Sequence, residues 1–320
     1  MSPLPRGALS TRSEAPQPAI CYRSKAEYDT SLLQRYKYHR SETGGLQPSK
    51  MLMNVTSVAR TRLALRRIAA LLAVAASIAI GLRGATAQAD QRDNFLAGRS
   101  RDCQRCDLAG ANFKRRDLSG ANMAGANLKD ANFHDARLAD ANLAGADLTG
   151  ANLNKANLSR ADLGAAVLRE VMLYGANLDG ANLAGADLTD ALMGTVHMTR
   201  SDLTKAILRG ADLRKARLAD SAFYDADLTG AALDFAILRG ARLDRASLKE
   251  TRLTGAELND ASLARADLTD AVAAGANFRD ADLSRAILGR TNFRRANMHD
   301  TKLDNAVFGE TVMPDGTVRP

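Results

Sequence analysis

The chain has 320 residues, 46% of them hydrophobic, with 44 Lys and Arg against 36 Asp and Glu for a formal charge of +8. That excess suggests a polyanionic partner until it is divided: residues 1–88 hold 13 basic and 4 acidic side chains, leaving a nearly balanced 31 and 32 for the rest, so net charge gives no nucleic-acid footprint there. Trp is absent and aromatic residues make up only 4%, which suits a narrow interior of Leu and Ala rather than a broad core built on rings.

Residues 1–50 carry Pro3, Pro5, Pro16 and Pro18, scattered charge and no hydrophobic period, and read as a disordered or untranslated leader. From Met51 or Met53 the chain has the grammar of a secretory signal, taken as residues 51–89. Arg60, Arg62, Arg66 and Arg67 form a positive region, Ile68 to Leu82 an apolar run of 15 residues, and Ala85-Thr86-Ala87 and Ala87-Gln88-Ala89 two cleavage patterns. Such a run is shorter than the roughly 20 residues of a transmembrane helix, so cleavage and a periplasmic or secreted product are the expectation. An uncleaved membrane anchor formed by residues 63–82 is the alternative. Residues 90–102 form a linker and N-terminal cap between this signal and a long repetitive region, with Phe95 and Leu96 available to cover the first layer of the repeats.

From Cys106 to Met313 the sequence repeats every five residues without an insertion or deletion, as in Ala141-Asn142-Leu143-Ala144-Gly145 followed by Ala146-Asp147-Leu148-Thr149-Gly150. The third position of 42 consecutive units is Leu 30 times, Phe 6 times, Met 5 times and Ala once, at Ala273, so one interior must run the whole length. The first position is mostly Ala, and the second is Asp or Asn in 22 units, while the fourth and fifth are polar, charged or Gly. A period of five fits neither element alone. On an α-helix it would carry the leucines round every face, and on a flat strand it would throw them to alternate sides. Each unit must therefore contain a corner. Four short extended segments and four corners close a square, so that residues 20 apart stack at roughly 4.8 Å. Stacked repeats bury jointly a core that none buries alone.

Units of the form A-[DN]-L-x-x resemble the pentapeptide-repeat proteins over about two thirds of the chain. The resemblance implies an all-β fold, a right-handed quadrilateral parallel β-helix of four units per coil, here about ten coils over residues 103–316 with a tail at 317–320. Right-handed winding agrees with the general preference of parallel connections.

Candidates for chemistry are few. Cys103-Gln104-Arg105-Cys106-Asp107-Leu108 resembles the C-x-x-C-D-L start of many family members. By phase both cysteines point inward, as an apolar plug of the N-terminal end or as a disulfide if the protein is exported. They lack the further ligands of a zinc site and the βαβ context of a thioredoxin-like motif. His134, His197 and His299 fall on outward positions far apart, and nothing converges as a metal cluster or as a nucleophile with its base. Asp225 and Asp227 read as a solvated face, and the glycines as turn punctuation rather than a phosphate loop. No cofactor is expected.

Several departures from the pattern carry further expectations. Arg116 at a first position would snorkel out through an open early wall. The gap at Ala273, stacked between Leu253 and Phe293, would be filled by the phenylalanine. Asn112, Asn132 and Asn152, 20 apart, would form a side-chain ladder. Val167, Met172, Leu192 and Ile207 place apolar groups at polar second positions and form the candidate partner surface. After the last unit, Met313-Pro314-Asp315-Gly316 turns and only four residues remain, too few to cover a square coil, so a weak two-fold homodimer through the C-terminal coil is expected, the alternative being a monomer whose edge Pro314 and the tail blunt.

Together these features favour an exported, non-catalytic scaffold that binds an unknown protein partner, with no nucleic acid and no membrane once the signal is removed. The resemblance also offers a DNA-mimicking protein that binds type II topoisomerases. Such proteins are acidic, cytosolic and dimeric through a C-terminal helix, whereas this surface is neutral, an export signal is present and no helix follows the repeats. An enzyme would need a convergent cluster of His or carboxylates.

Overall fold

A computed structural model describes residues 88–320. The leader 1–50, most of the signal at 51–89 and the candidate anchor 63–82 lie outside the described residues.

Second-position residues pair in parallel with those 20 positions on, from Asp102↔Asn122 to Asn292↔Val312, so four residues of each coil mark four walls. Counted from Asp107, the first wall holds residues 107, 127 and onward, the second 112 and 132, the third 117 and 137, and the fourth 102 and 122. The bridges begin at Asp102, so the last residues of the expected linker already belong to the tube.

Backbone accounting explains why the period is five. In the unit Ala146 to Gly150, Asp147 N–H donates to Ala126 O of the coil before (3.0 Å), while Leu148 and Gly150 donate to Val167 O (2.7 Å) and Arg169 O (3.0 Å) of the coil after. Thr149 N–H donates to the Asp147 side chain at 3.1 Å. Ala151 N–H closes the corner onto Leu148 O at 3.0 Å. Every donor of this unit is thus satisfied, and an Asp or Asn at the second position supplies the acceptor that the coil geometry leaves missing. Where that residue is apolar the neighbour below can serve: Tyr174 N–H donates to Asn154 Oδ1 at 2.8 Å. This use of the side-chain oxygen also limits the asparagine ladder. Asn112, Asn132 and Asn152 stack by backbone but turn their oxygens onto the amides of Lys114, His134 and Asn154, and the side-chain ladder bonds form instead at Asn127 to Asp107 and Asn182 to Asp162.

At the corners, fifth-position residues sit in the left-handed region, non-glycine φ values running from 52° to 62°, while fourth positions do not, which is the dihedral signature of type II turns. Third-position side chains are fully buried along nearly the whole tube, with the first-position alanines beside them. The hydroxyls that replace alanine find carbonyls, as when Thr291 donates to Leu268 O at 2.8 Å, and no described buried side-chain polar atom lacks a partner. Ala273 is fully buried, and Phe293 above it lies edge-on to Phe278 with centroids 5.4 Å apart.

The two ends are closed differently. At the start, residues 88–96 form a helix, α1, whose end carries Gly98 at φ 74° with Arg99 N–H on Asn94 O (2.8 Å) and Gly98 N–H on Phe95 O (2.9 Å), a Schellman closure. Phe95 is fully buried against Phe113, which stacks on Phe133 at 4.9 Å. Arg116 does not snorkel into solvent: its guanidinium donates to Leu96 O (2.9 Å) and Phe95 O (3.3 Å), giving the last carbonyls of α1 a cation at the negative end of the helix. At the other end β1 (Thr311–Val312) pairs antiparallel with β2 (Val318–Arg319), so the short tail folds back over the second wall and Arg319 lies 3.5 Å above the Phe308 ring. The last coil on the other three walls has no described backbone covering it, and Met298, Leu303 and Phe308 are only partly buried.

Candidate functional site

Cys103 and Cys106 are fully buried and joined by a disulfide with Cα atoms 5.3 Å apart, at the end of the tube that α1 covers. Among the described residues no group of His, Cys, Asp or Glu could hold a metal ion, and no helix is long and apolar enough to cross a membrane. The outward histidines stay apart, with His299 making only a surface pair with Asp300 at 2.7 Å.

The candidate apolar surface divides in two. Met172 and Leu192 bridge directly on the second wall, but Val167 and Ile207 on the first wall are separated by Asp187, which bridges both. The reason is an alternation with a 40-residue period at the first wall and its corner. Asp147 accepts from Thr149 Oγ1 (2.6 Å) and faces Lys129 Nζ (3.1 Å). Asp187 repeats this with Thr189 and Arg169, Asp227 with Thr229 and Arg209, and Asp267 with Thr269 and Lys249. From Asp147 to Asp267 every second coil of this wall is a closed cation, carboxylate and hydroxyl triad, so Val167 and Ile207 cannot be neighbours, whereas Ile287 and Val307 beyond the last triad bridge directly. Partial burial works against ionisation of these four carboxyls, yet the threonine hydroxyl and N–H and the facing cation outweigh it and hold each below the ordinary carboxylate range.

The second corner, next along the chain from the second wall, is built differently. Tyr174 and Phe235 are 57% and 59% exposed there, and Leu192, on the second wall one coil after the unit of Tyr174, is 51% exposed, three side chains that make no hydrogen bond to any described residue. Tyr174 lies over Gly194, where an added Cβ would meet its ring at 3.3 Å, and Phe235 over Gly255, where the distance would be 2.7 Å. Two open depressions lie on this corner, about 300 Å³ beside Tyr174, Gly194 and Lys215, and about 540 Å³ over Ala274 and Gly275 between Thr254 and Arg294. Sequence reasoning missed both rings because they occupy fourth and fifth positions, outside the apolar second-position search. A ring at a turn position with glycine 20 residues later was the available signal.

The wall bridges, the corners and the buried third positions define a right-handed quadrilateral β-helix, a solenoid with its interior filled by side chains. The model of the pentapeptide repeats matches in overlapping segments across residues 106–309, and the chain belongs to that family. No curated protein sequence matches the chain. Among solved structures it is similar to HetL, a pentapeptide repeat protein involved in heterocyst differentiation regulation from the cyanobacterium Nostoc sp. strain PCC 7120, with 30% identity over 71% of this chain and 97% of HetL and a TM-score of 0.39. It is also similar to QnrB1, a plasmid-mediated fluoroquinolone resistance protein, at 18% identity over 62% of this chain and 89% of QnrB1, with a TM-score of 0.36. A third is a pentapeptide repeat protein of the Arabidopsis thaliana thylakoid lumen, 30% identical over 39% of this chain and 74% of its own, with a TM-score of 0.21.

Proposed function

We propose that the protein is an exported, non-catalytic scaffold that presents one side of its tube to a protein partner. The observation that carries this reading is the wall. Because four of the five backbone donors of each unit before the last coil are bonded between coils or within a corner, outward side chains are held in fixed rows about 4.8 Å apart, a surface rigid enough to bind with little ordering cost. Catalysis, cofactor and metal have no part in this reading, nor does a nucleic acid or, after signal removal, a membrane. The buried disulfide supports export, since such bonds persist in oxidising compartments. Weak self-association belongs to the three uncovered walls of the last coil, and light scattering that gives a constant monomer mass across concentrations would contradict it.

Expression of the full chain followed by fractionation and N-terminal sequencing tests export: a mature chain beginning at Gln88 or Asp90 outside the cytoplasm is expected, and a cytosolic chain that retains residues 1–50 would reject it. Crosslinked capture with the wild type and with Leu192→Asp tests the binding role. A partner that follows only the wild type is the expected result, and no enriched protein would reject the scaffold reading.

A further inference from the structure

The second corner joins exposed rings to cations that make no ion pair among the described residues, and that combination sets it apart from the first. Along it, in coil order, come Tyr174, then Gly194 and Thr195, then Arg214 and Lys215, then Phe235 beside the buried Asp234 that Arg252 pairs at 2.6 Å, then the small residues to Gly275, then Arg294 and Arg295. Arg214 is held by Asp212 through a two-pronged pair at 2.8 and 2.6 Å. Lys215, Arg294 and Arg295 make no ion pair with any described residue, although most outward arginines of the first corner do.

Backbone strain marks the same corner independently. Among the described non-glycine residues at positive φ, only Thr195 (56°) and Phe235 (58°) are β-branched or aromatic, the types least suited to that region. The others are Asp, Asn, Glu, Lys, Arg and one Ala. Strain of this kind persists where the surroundings enforce it and gathers at functional surfaces. Here Phe235 is itself one of the two most exposed large rings, and Thr195 lines the depression beside Tyr174.

We propose that the second corner, from Tyr174 to Arg295, is a docking strip for an extended acidic polypeptide segment that carries apolar or aromatic side chains. This rests on the scaffold reading and names the chemistry of its partner. From Tyr174 to Arg294 is six coils, about 29 Å, the length of roughly eight or nine extended residues. The unpaired cations supply complementarity to carboxylates, and the depressions floored by glycine admit side chains between the rings. A single-stranded nucleic acid or an acidic glycan would also meet rings and cations. Leu192 favours the peptide: an aliphatic group half exposed beside Tyr174 packs against apolar side chains and offers a base or a sugar no stacking face.

The test uses the purified full chain with four fluorescent probes: a glutamate–tyrosine copolymer, polyglutamate, a poly-dT strand and alginate. The copolymer is expected to bind at least tenfold tighter than the other three, and Tyr174→Ala with Phe235→Ala, or Arg294→Glu with Arg295→Glu, to weaken it at least tenfold at unchanged thermal midpoint. Phe235→Gly separates a docking role from a structural one, because it is expected to keep or raise the midpoint while lowering affinity. Equal binding of all probes, tighter binding of poly-dT or alginate, no binding of the copolymer, or affinity indifferent to these variants overturns the proposal. If the strip variants still capture the wild-type partner, the strip is wrong while the scaffold reading stands.

Discussion

The first and second corners are made of the same backbone and face the same solvent, yet one is closed and the other open. At the first corner every second coil binds its own carboxylate with a hydroxyl, an N–H and a cation, so its polar groups have spent their bonding capacity within the tube. At the second corner two rings lie on glycines, two bulky residues hold a left-handed turn and three cations stand free of ion pairs. A repeat protein can therefore separate stability from recognition by corner, because each corner occurs once per coil and the backbone ladder serves all of them alike.

Substitutions measure that separation against the interior common to both corners. Leu178→Ala, in a fully packed third position, should cost about 2 to 5 kcal/mol in chemical denaturation, which sets the scale. Asp187→Ala removes an acceptor from Thr189 and a partner from Arg169 and should cost about 1 to 3 kcal/mol, whereas Tyr174→Ala should stay within about 0.5 kcal/mol. Equal losses at the two corners would erase the contrast.

Acid should weaken the first corner. The triad carboxyls have folded pKa values below their unfolded ones, so the unfolded chain binds more protons in that range and stability rises with pH there. Their contribution is whole above about pH 4, the unfolded value, and is lost as pH falls through the depressed folded values. Thermal midpoints measured from pH 6 to pH 2 should drop at the acid end, and the drop should shrink in a variant with Asp147, Asp187, Asp227 and Asp267 all changed to Asn. An effect of opposite sign belongs to the strained turn. Thr195→Gly should gain up to about 1 kcal/mol, since relief of a left-handed β-branched residue is partly offset by glycine's greater entropy when unfolded; a loss on replacement would show that the turn is not strained.

The tube itself was legible because its signal is redundant: one missed leucine would leave the five-residue phase intact. What escaped reading depends on contacts between coils. The 40-residue alternation pairs a fourth-position cation with a carboxylate 18 residues later, and five-residue bookkeeping treats those as unrelated positions. Arg116 looked like an uncompensated inward charge because α1, which supplies its carbonyl partners, has too few apolar residues to show a helical period. The side-chain ladder of Asn112, Asn132 and Asn152 was inferred from spacing alone, whereas each oxygen is taken by its own turn two residues on. Met172 and Leu192 bridge as their spacing of 20 implied, while Val167 and Ile207, 40 apart on the adjoining wall, have Asp187 between them.

The central claim is that the fold is kept by a 20-residue stacking phase, and two deletions test it directly. Removing Gly145 puts every later leucine one position out of register with the coils before it, while removing Ala141 to Arg160 takes out one whole coil and leaves all later third positions stacked. Circular dichroism through thermal unfolding is the measurement. A folded β spectrum and a cooperative transition are expected for the coil deletion, and loss of both for the single-residue deletion. Two variants that unfold alike, or a single-residue deletion as stable as the wild type, would contradict the stacking phase.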